Sequence, residues 1–403
     1  MNTGKPKIRE DLEFIPVKSE GRTVIMIRDR LDLVQQGNAI NPELYMLLAM
    51  LDGTRSIRDI QLDLMRQLGG RLITTAEIER IVAELESSYL LDGRRYRDRK
   101  AQIVDDFRAQ PIRYPAHAGL SYPKDPEELR MRLDDFLAAG SSQELPEGTL
   151  AALVAPHIDL EAGKGVYASA YRAVTAVDPE RIIILGVGHA MQKEMFSLTT
   201  KPFETPLGTV DTDREAVGRL QASNHLISKD DFPHRDEHSI EFQLIFLQHV
   251  LKDSHFTIVP ILCGSLMGSM DEYSRQNYQF MARDFLRVLA DIAEDRRTLV
   301  VAGVDFSHVG PKFGHDMPAS FLLDQSEAHD RRLLDSICGM NADGFWEASR
   351  EVNDRYNVCG FSALACLLEI LPPSHGHLLD YGTFREEATQ SAVSFAAVLF
   401  VNS

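Results

Sequence analysis

TLVVAGVDFSHVG, residues 298–310, is the stretch on which the reading of this chain turns. Leu299 to Val304 run without a polar break, the pattern of a strand buried on both faces. The run then meets Asp305, His308 and Gly310. The same arrangement occurs twice more: LVAP ends in His157 with Asp159 behind it, and IIILGVG ends in His189. In open α/β sheets, ligands bind beyond the carboxyl ends of the strands. If these three strands are neighbours, their tips share one rim. Gly186 and Gly188, around the His189 turn, permit a close approach there.

The surrounding sequence supports such a sheet. HFTIVPILCG and SAVSFAAVLFVN read as further strands, while DREAVGRLQAS, SIEFQLIFLQHVL, NYQFMARDFLRVLADIAE and FSALACLLEIL read as helices. Strands alternating with helices predict an α/β domain with a largely parallel or mixed sheet over residues 106–403.

Two more stretches contribute chemistry. DFPHRDEHSIEFQLIFL holds His234, Asp236, Glu237, His238 and Glu241 where a helix begins. Acids at a helix start are explained by capping, so Asp236 and Glu237 are assigned that role and His238 is placed in the site. Glu241, three residues on from His238, can share its face. In NVCGFSALACLLEI, Cys359 opens an apolar helix, where a helix N-terminus favours thiolate. Cys366 reads as core, Cys263 as ambiguous and Cys338 as incidental. Imidazole binds first-row metals, and a carboxylate or thiolate can complete the set. Rival readings are weaker. LGVGH as a phosphate cradle lacks any GK[ST]. A hydrolase using Ser239 or Ser307 beside His238 or His308 lacks a G-x-S-x-G elbow.

The remaining features bound the class. A chain of 403 residues with 44% hydrophobic content can bury two cores. A net charge of −17 argues against broad binding to nucleic-acid phosphates. No apolar run reaches the roughly 20 residues of a membrane span, and MNTGKPKIREDLEF has no apolar signal core, so a cytoplasmic protein is expected. Four cysteines in a chain of this length make no disulfide framework. Residues 1–105 read differently. NPELYMLLAMLDG, SIRDIQLDLMRQLGG and TAEIERIVAELESSYLL each carry cap signals at Asn41, Ser56 and a Thr-x-x-Glu start. VIMIRDR reads as a strand, and GRRYRDR as a strand or wing. Three short helices with small strands predict a winged-helix-type domain. No helix rich in Arg, Asn or Gln presents itself for reading DNA bases.

That N-terminal stretch resembles the PqqD-like family, which implies recognition of a peptide or a partner enzyme. Residues from about 111 onward resemble the Memo family, also called protein B of the AmmeMemoRadiSam system. The resemblance runs in order through RYPAHAGLSYPKDPEELRMRL, APHIDLEAGKGVYASAY, ILGVGHAM, TPLGTVDTD, DEHSIEFQLIFLQ, VDFSH and Cys359-Gly360. It implies a fold like that of class III extradiol dioxygenases, a mixed sheet flanked by helices. It also implies a metal held by His157, His189 and Cys359, with Asp305, His308 and His238 lining the pocket. Fe(II) is the first expectation, with copper and zinc as alternatives. Two departures stand out. Ile158-Asp159-Leu160 replaces the family's Ala-Gly-Tyr, bringing an acid near the metal, and His117 stands where a small apolar residue is usual. The expected function is a metal-dependent redox enzyme linked to a radical-SAM system, acting on a small molecule or peptide. His308, oriented by Asp305, would then move the proton. The alternative is an accessory protein that docks a peptide or radical-SAM partner.

Overall fold

The computed structural model describes residues 5–19, 22–35, 39–140, 146–175, 177–191, 193–223, 226–228, 230–294 and 297–402. The first four residues of the stretch read for a leader lie outside them. The chain divides into two compact units, Met1–Ala109 with Glu387–Gln390, and Gln110–Glu386 with Ser391–Ser403.

The first unit opens with an antiparallel ribbon of β1 (Leu12–Ser19) and β2 (Arg22–Asp29), joined by the short β3 (Ala39–Ile40). Helices α1 (Pro42–Met50), α2 (Ile57–Gln67) and α3 (Thr75–Ser87) follow. Asn41, Ser56 and Thr74 cap them, the last two in full capping boxes with Asp59 and Glu77. Each cap satisfies a donor that the first turn leaves orphaned, at about 1 kcal/mol. Leu48, Leu51, Ile60, Leu64, Ile78 and Leu85 fill the interior. GRRYRDR is neither strand nor wing: it begins α4 (Arg94–Ala109). The segment has one apolar residue, Tyr96, too few for a strand face. Tyr96 and Phe107 lie about three turns apart on one helical face, and both are buried.

The second unit carries the site. Its first half contains α5 (Pro126–Ala138), β4 (Leu150–Ala155), α6 (Lys164–Arg172), β5 (Arg181–Val187), β6 (Phe196–Leu198), β7 (Phe203–Thr205), β8 (Gly208–Val210), α7 (Arg214–Gln221) and α8 (His238–Val250). Its second half contains β9 (Thr257–Cys263), α9 (Leu266–Ser269), α10 (Arg275–Ala293), β10 (Thr298–Gly303), β11 (His308–Val309), α11 (Leu323–Cys338), α12 (Ala342–Val352), α13 (Phe361–Ile370), β12 (Ser374–Glu386) and β13 (Ser391–Asn402). The main sheet runs β11-β13-β4-β10-β5-β9-β6, with β12 paired to β13. Strands β4, β10, β5 and β9 are parallel, while β13 and β6 flank them antiparallel. The sheet is therefore mixed and flanked by helices.

Both faces of the parallel strands are buried, which explains their unbroken apolar runs. Val154, Ile183, Leu185 and Val300 pack on the side of α7, α10, α11, α12 and α13. Leu153, Ile182, Ile184 and Val301 pack on the side of α5, α6 and α8. There Phe246 lies between the rings of Tyr167 and Tyr171, at centroid distances of 4.9 and 4.6 Å. The order β4-β10-β5 makes the three strands with polar tips direct neighbours. Ala155 pairs with Gly303, and Ala302 with Leu185. Among the described residues, no helix is long and apolar enough to cross a membrane.

Candidate metal centre

His157 follows β4, is buried, and has a fixed ring. Its Nδ1 donates to the Gly303 carbonyl at 2.9 Å. A carbonyl can only accept, so the proton sits on Nδ1 and the Nε2 lone pair faces the rim. Asp305 anchors the same loop: its Oδ1 accepts from His157 N at 3.0 Å and Ile158 N at 3.3 Å. Its Oδ2 lies 3.6 Å from His157 Nε2.

His189 follows β5, and its Nδ1 meets Glu237 Oε2 at 3.0 Å. His238 is the first residue of α8, and its Nδ1 meets Glu237 Oε1 at 3.2 Å. Glu237 also caps α8 by accepting from Ser239 N at 3.0 Å. One buried carboxylate thus does three jobs, and the capping role assigned from sequence covers only one. Burial works to raise its pKa, but the His189 and His238 imidazoles outweigh that and hold it well below the usual carboxylate range. Glycine at 186 is required here: a Cβ would meet Ser239 Oγ at 2.6 Å and Ile240 Cγ1 at 2.8 Å.

The three imidazoles of His157, His189 and His238 offer ligand atoms that all lie within 4.8 Å of one another. Their ring centroids are 5.1 Å apart in every pair. Burial pushes the pKa of His157 and of His238 down, against the pull of Asp305 on the first and of Glu237 on the second. Both are therefore neutral near pH 7, the form that binds metal.

Cys359 reaches the rim from the turn before α13, with Sγ 3.5 Å from His157 Nε2. Three left-handed residues precede it, Asn353, Asp354 and Asn357, with φ of 49°, 50° and 50°. Asn and Asp are the non-glycine types that best tolerate that region. Gly360 lets the turn lie against β10's extension, since a Cβ there would meet Val304 Cβ at 2.6 Å and Asp305 O at 2.7 Å. The thiolate expected from the helix start is corrected by burial. Burial pushes the Cys359 thiol well up, and Asp305 adds to it, so the metal-free side chain is a neutral thiol.

His308 sits beside the cluster but outside it. Its Nδ1 donates to the Phe306 carbonyl at 2.9 Å, so Phe306, and not Asp305, orients the ring. Burial lowers its pKa to about 4, opposed by Asp305. Asp159 is exposed and turns back to accept from Glu161 N at 3.0 Å, so it adds no acid near the three imidazoles. Both candidate nucleophiles of the hydrolase reading are engaged. Ser239 Oγ accepts from Val187 N at 3.0 Å, and Ser307 Oγ donates to Asp330 at 2.6 Å.

Behind the rim lies a device that sequence reading missed. Arg113, fully buried, donates to the carbonyls of His234 (3.0 Å) and Glu237 (2.9 Å) and to Glu241. Glu241 also accepts from Ala116 N (3.0 Å), His117 N (2.9 Å) and Tyr122 OH. Glu241 therefore faces away from the site, and it ties the 113–122 segment across the start of α8. That tie brings His117 to within 5.6 Å of His238, ring to ring. Only the acids and arginine in RYPAHAGLSY and DEHSIE signalled it, and their pairing needs the fold to be seen.

One edge of the donor set, Cys359 to His157, passes a test of fit. Bonds of about 2.0 Å to nitrogen and about 2.3 Å to sulfur give a tetrahedral N···S edge of about 3.5 Å, which matches the Cys359–His157 separation. Fold and site together define an α/β protein with a cluster of converging imidazoles and a nearby thiol at the carboxyl edge of its sheet. The comparisons place it further. The Memo-like protein family model matches residues 113–399, and the chain belongs to the Memo family. A MEMO1 family protein of Aquifex aeolicus is 30% identical over 400 residues, covering 98% of this chain and all of the relative. One from Methanopyrus kandleri is 32% identical over 305 residues, covering 72% of this chain and 98% of its own. The protein memo-1 homolog of Caenorhabditis elegans is 28% identical over 306 residues, covering 72% of this chain and 83% of its own.

Proposed function

We propose that the second unit is a metal-dependent redox enzyme linked to a radical-SAM system. The observation that carries the reading is the convergence of the His157, His189 and His238 imidazoles at one rim, with the Cys359 thiol 3.5 Å from His157 Nε2. His157, His189 and Cys359 would hold the ion, Fe(II) first, with copper and zinc as alternatives. A bound Fe(II) or copper ion would supply a one-electron couple and a Lewis acid beside a small-molecule or peptide substrate.

The chain's own residues divide the remaining work. Cys359 would bind a cation as the thiolate, because a nearby divalent charge would reverse the penalty that burial imposes. His308 is neutral near pH 7 and has Nδ1 committed to Phe306, so its Nε2 is the proton acceptor. Asp305 holds the His157 loop through two backbone N–H groups. A His-His-Cys set differs from the two-His-one-carboxylate triad of oxygenases. Ring cleavage therefore does not carry over from the resemblance to class III extradiol dioxygenases.

The first unit we assign to docking a radical-SAM protein or a peptide, on its PqqD-like texture. The Aquifex relative supports treating both units as one working chain, since its match spans 98% of this one. Metal analysis of untagged protein purified anaerobically tests the centre. Near-stoichiometric iron or copper, lost in Cys359→Ala and His157→Ala, is expected. Retention of full metal in both variants, or protein that cannot be loaded at all, overturns it and leaves a ligand-binding accessory protein. For docking, capture of radical-SAM partners by the full chain should exceed capture by a chain beginning at residue 110, and equal capture removes the role.

A further inference from the structure

We propose that His238 is a third imidazole ligand, so that His157, His189 and His238 form the nitrogen face of the site and Cys359 completes it. The inference rests on the metal reading above and sharpens the role that sequence analysis gave His238, that of a residue lining the site.

Three observations support it. First, the ligand atoms of these three histidines lie within 4.8 Å of one another. Second, each ring has its Nδ1 occupied by an acceptor: the Gly303 carbonyl for His157 and the Glu237 carboxylate for His189 and His238. A histidine whose Nδ1–H is held in this way presents Nε2 as a lone pair in a fixed direction, the usual arrangement behind metal-bound imidazole. Among the described residues, no hydrogen-bond partner engages Nε2 of His189 or of His238. Third, the His189 and His238 rings are nearly parallel, at 17°, and hang from the same carboxylate. An ion within reach of one is within reach of the other.

Proton transfer by His238 would fail on the same geometry. A proton-transfer imidazole whose lone pair shares a point with two ligand nitrogens would sit against the cation and lose its basicity. His308 lies outside the three-histidine group and has its own carbonyl partner, so proton transfer stays with it. His117 also lies beside His238, but its Nε2 is taken by the Asp236 carbonyl at 3.0 Å. Three neutral nitrogens with one thiolate favour a borderline first-row divalent ion over hard Mg(II) or Ca(II). The anionic Glu237 behind two of the rings adds to that cation's stability.

The test uses the full chain without a polyhistidine tag. His375 and His377 are replaced by alanine in every sample, because these exposed-strand rings, 4.9 Å apart, would bind probe metal by themselves. Co(II) reports the thiolate through its near-ultraviolet charge-transfer band and the coordination through its visible bands. Cu(II) reports coupled imidazole nitrogens by pulsed EPR. We expect three nitrogens in the parent. His238→Ala should lose one nitrogen, keep the thiolate band, and bind Co(II) about 10- to 100-fold more weakly. His238→Gln, which keeps more of the side-chain volume, should do the same, and Trp346 fluorescence shows whether each variant is folded. His117→Ala should keep all three nitrogens. A His238→Ala protein with the parent's nitrogen count and Co(II) affinity overturns the assignment. Failure of the metal reading looks different: the parent itself then takes up neither ion.

Discussion

The buried pair of Arg113 and Glu241 gives the sharpest prediction. Arg113 has no exposed surface and makes three hydrogen bonds, while Glu241 accepts four. Arg113→Met keeps an unbranched apolar stem but strands the Glu241 charge and leaves the His234 and Glu237 carbonyls without their donor. Breaking one partner of a buried pair costs about 3–5 kcal/mol. Burial pushes the Glu241 carboxyl up, and the Arg113 guanidinium leads the contacts that outweigh it and hold the pKa below the ordinary value, so its loss lets burial act. Glu241→Gln strands the guanidinium instead and should cost about as much. In the double variant neither charge is left alone, so its cost should fall short of the sum by about 2 kcal/mol. Urea unfolding followed by the single tryptophan, Trp346, reads the second unit. Because Arg113 also grips the Glu237 carbonyl, Arg113→Met should weaken Co(II) binding about tenfold or more. Single-variant costs below about 1 kcal/mol, or costs that add within about 0.5 kcal/mol, would refute the picture of a desolvated, coupled pair.

Three other perturbations follow from the same structure. Burial raises the pKa of Asp330 to about 6 from an ordinary 3.8, although Ser307, Ser394 and Tyr381 donate to it. The unfolded chain therefore loses this proton first. Stability from Asp330 is complete below about pH 4 and falls as pH rises to about 6, by on the order of 3 kcal/mol. Asp330→Asn should flatten that fall in urea titrations across pH 4–7, and an unchanged slope removes the assignment. Gly360→Ala places a Cβ against Val304 and the Asp305 carbonyl, so it should lower both stability and metal content. Gly218→Ala, in the exposed face of α7 with open space around it, should instead raise stability by roughly 0.5–1 kcal/mol. Equal effects from the two would contradict the close approach at residue 360.

Much of this was legible because it depends on local pattern. The unbroken apolar runs of β4, β5, β9 and β10 announced strands buried on both faces, and their tips announced the rim. The caps at Asn41, Ser56 and Thr74 are short-range hydrogen bonds that three or four residues specify. What failed was non-local or a matter of balance. GRRYRDR offers no apolar periodicity until Phe107 is seen to share a face with Tyr96. A helix end favours a Cys359 thiolate, and burial outweighs that field. Sequence proximity pairs Asp305 with His308, but its oxygen is spent on the backbone of His157. Capping alone suffices to explain Glu237 in the sequence. Its two imidazole partners arrive from β5 and from α8, and only the closed fold shows both. The long β12–β13 hairpin was half missed, since SHGHLLDYGTFRE alternates too loosely to declare a strand.

The donors of the rim come from five separate segments, around residues 157, 189, 238, 305 and 359. Cys359 and His157 are 202 positions apart. Closing loops of that length is slow, and no short piece of the chain holds the pocket by itself. During synthesis these side chains come together only after Cys359 has been made and β10 has slotted between β4 and β5. Metal capture would thus be a late event in the life of the chain, and a protein loaded with an ion at this rim would already have completed its sheet.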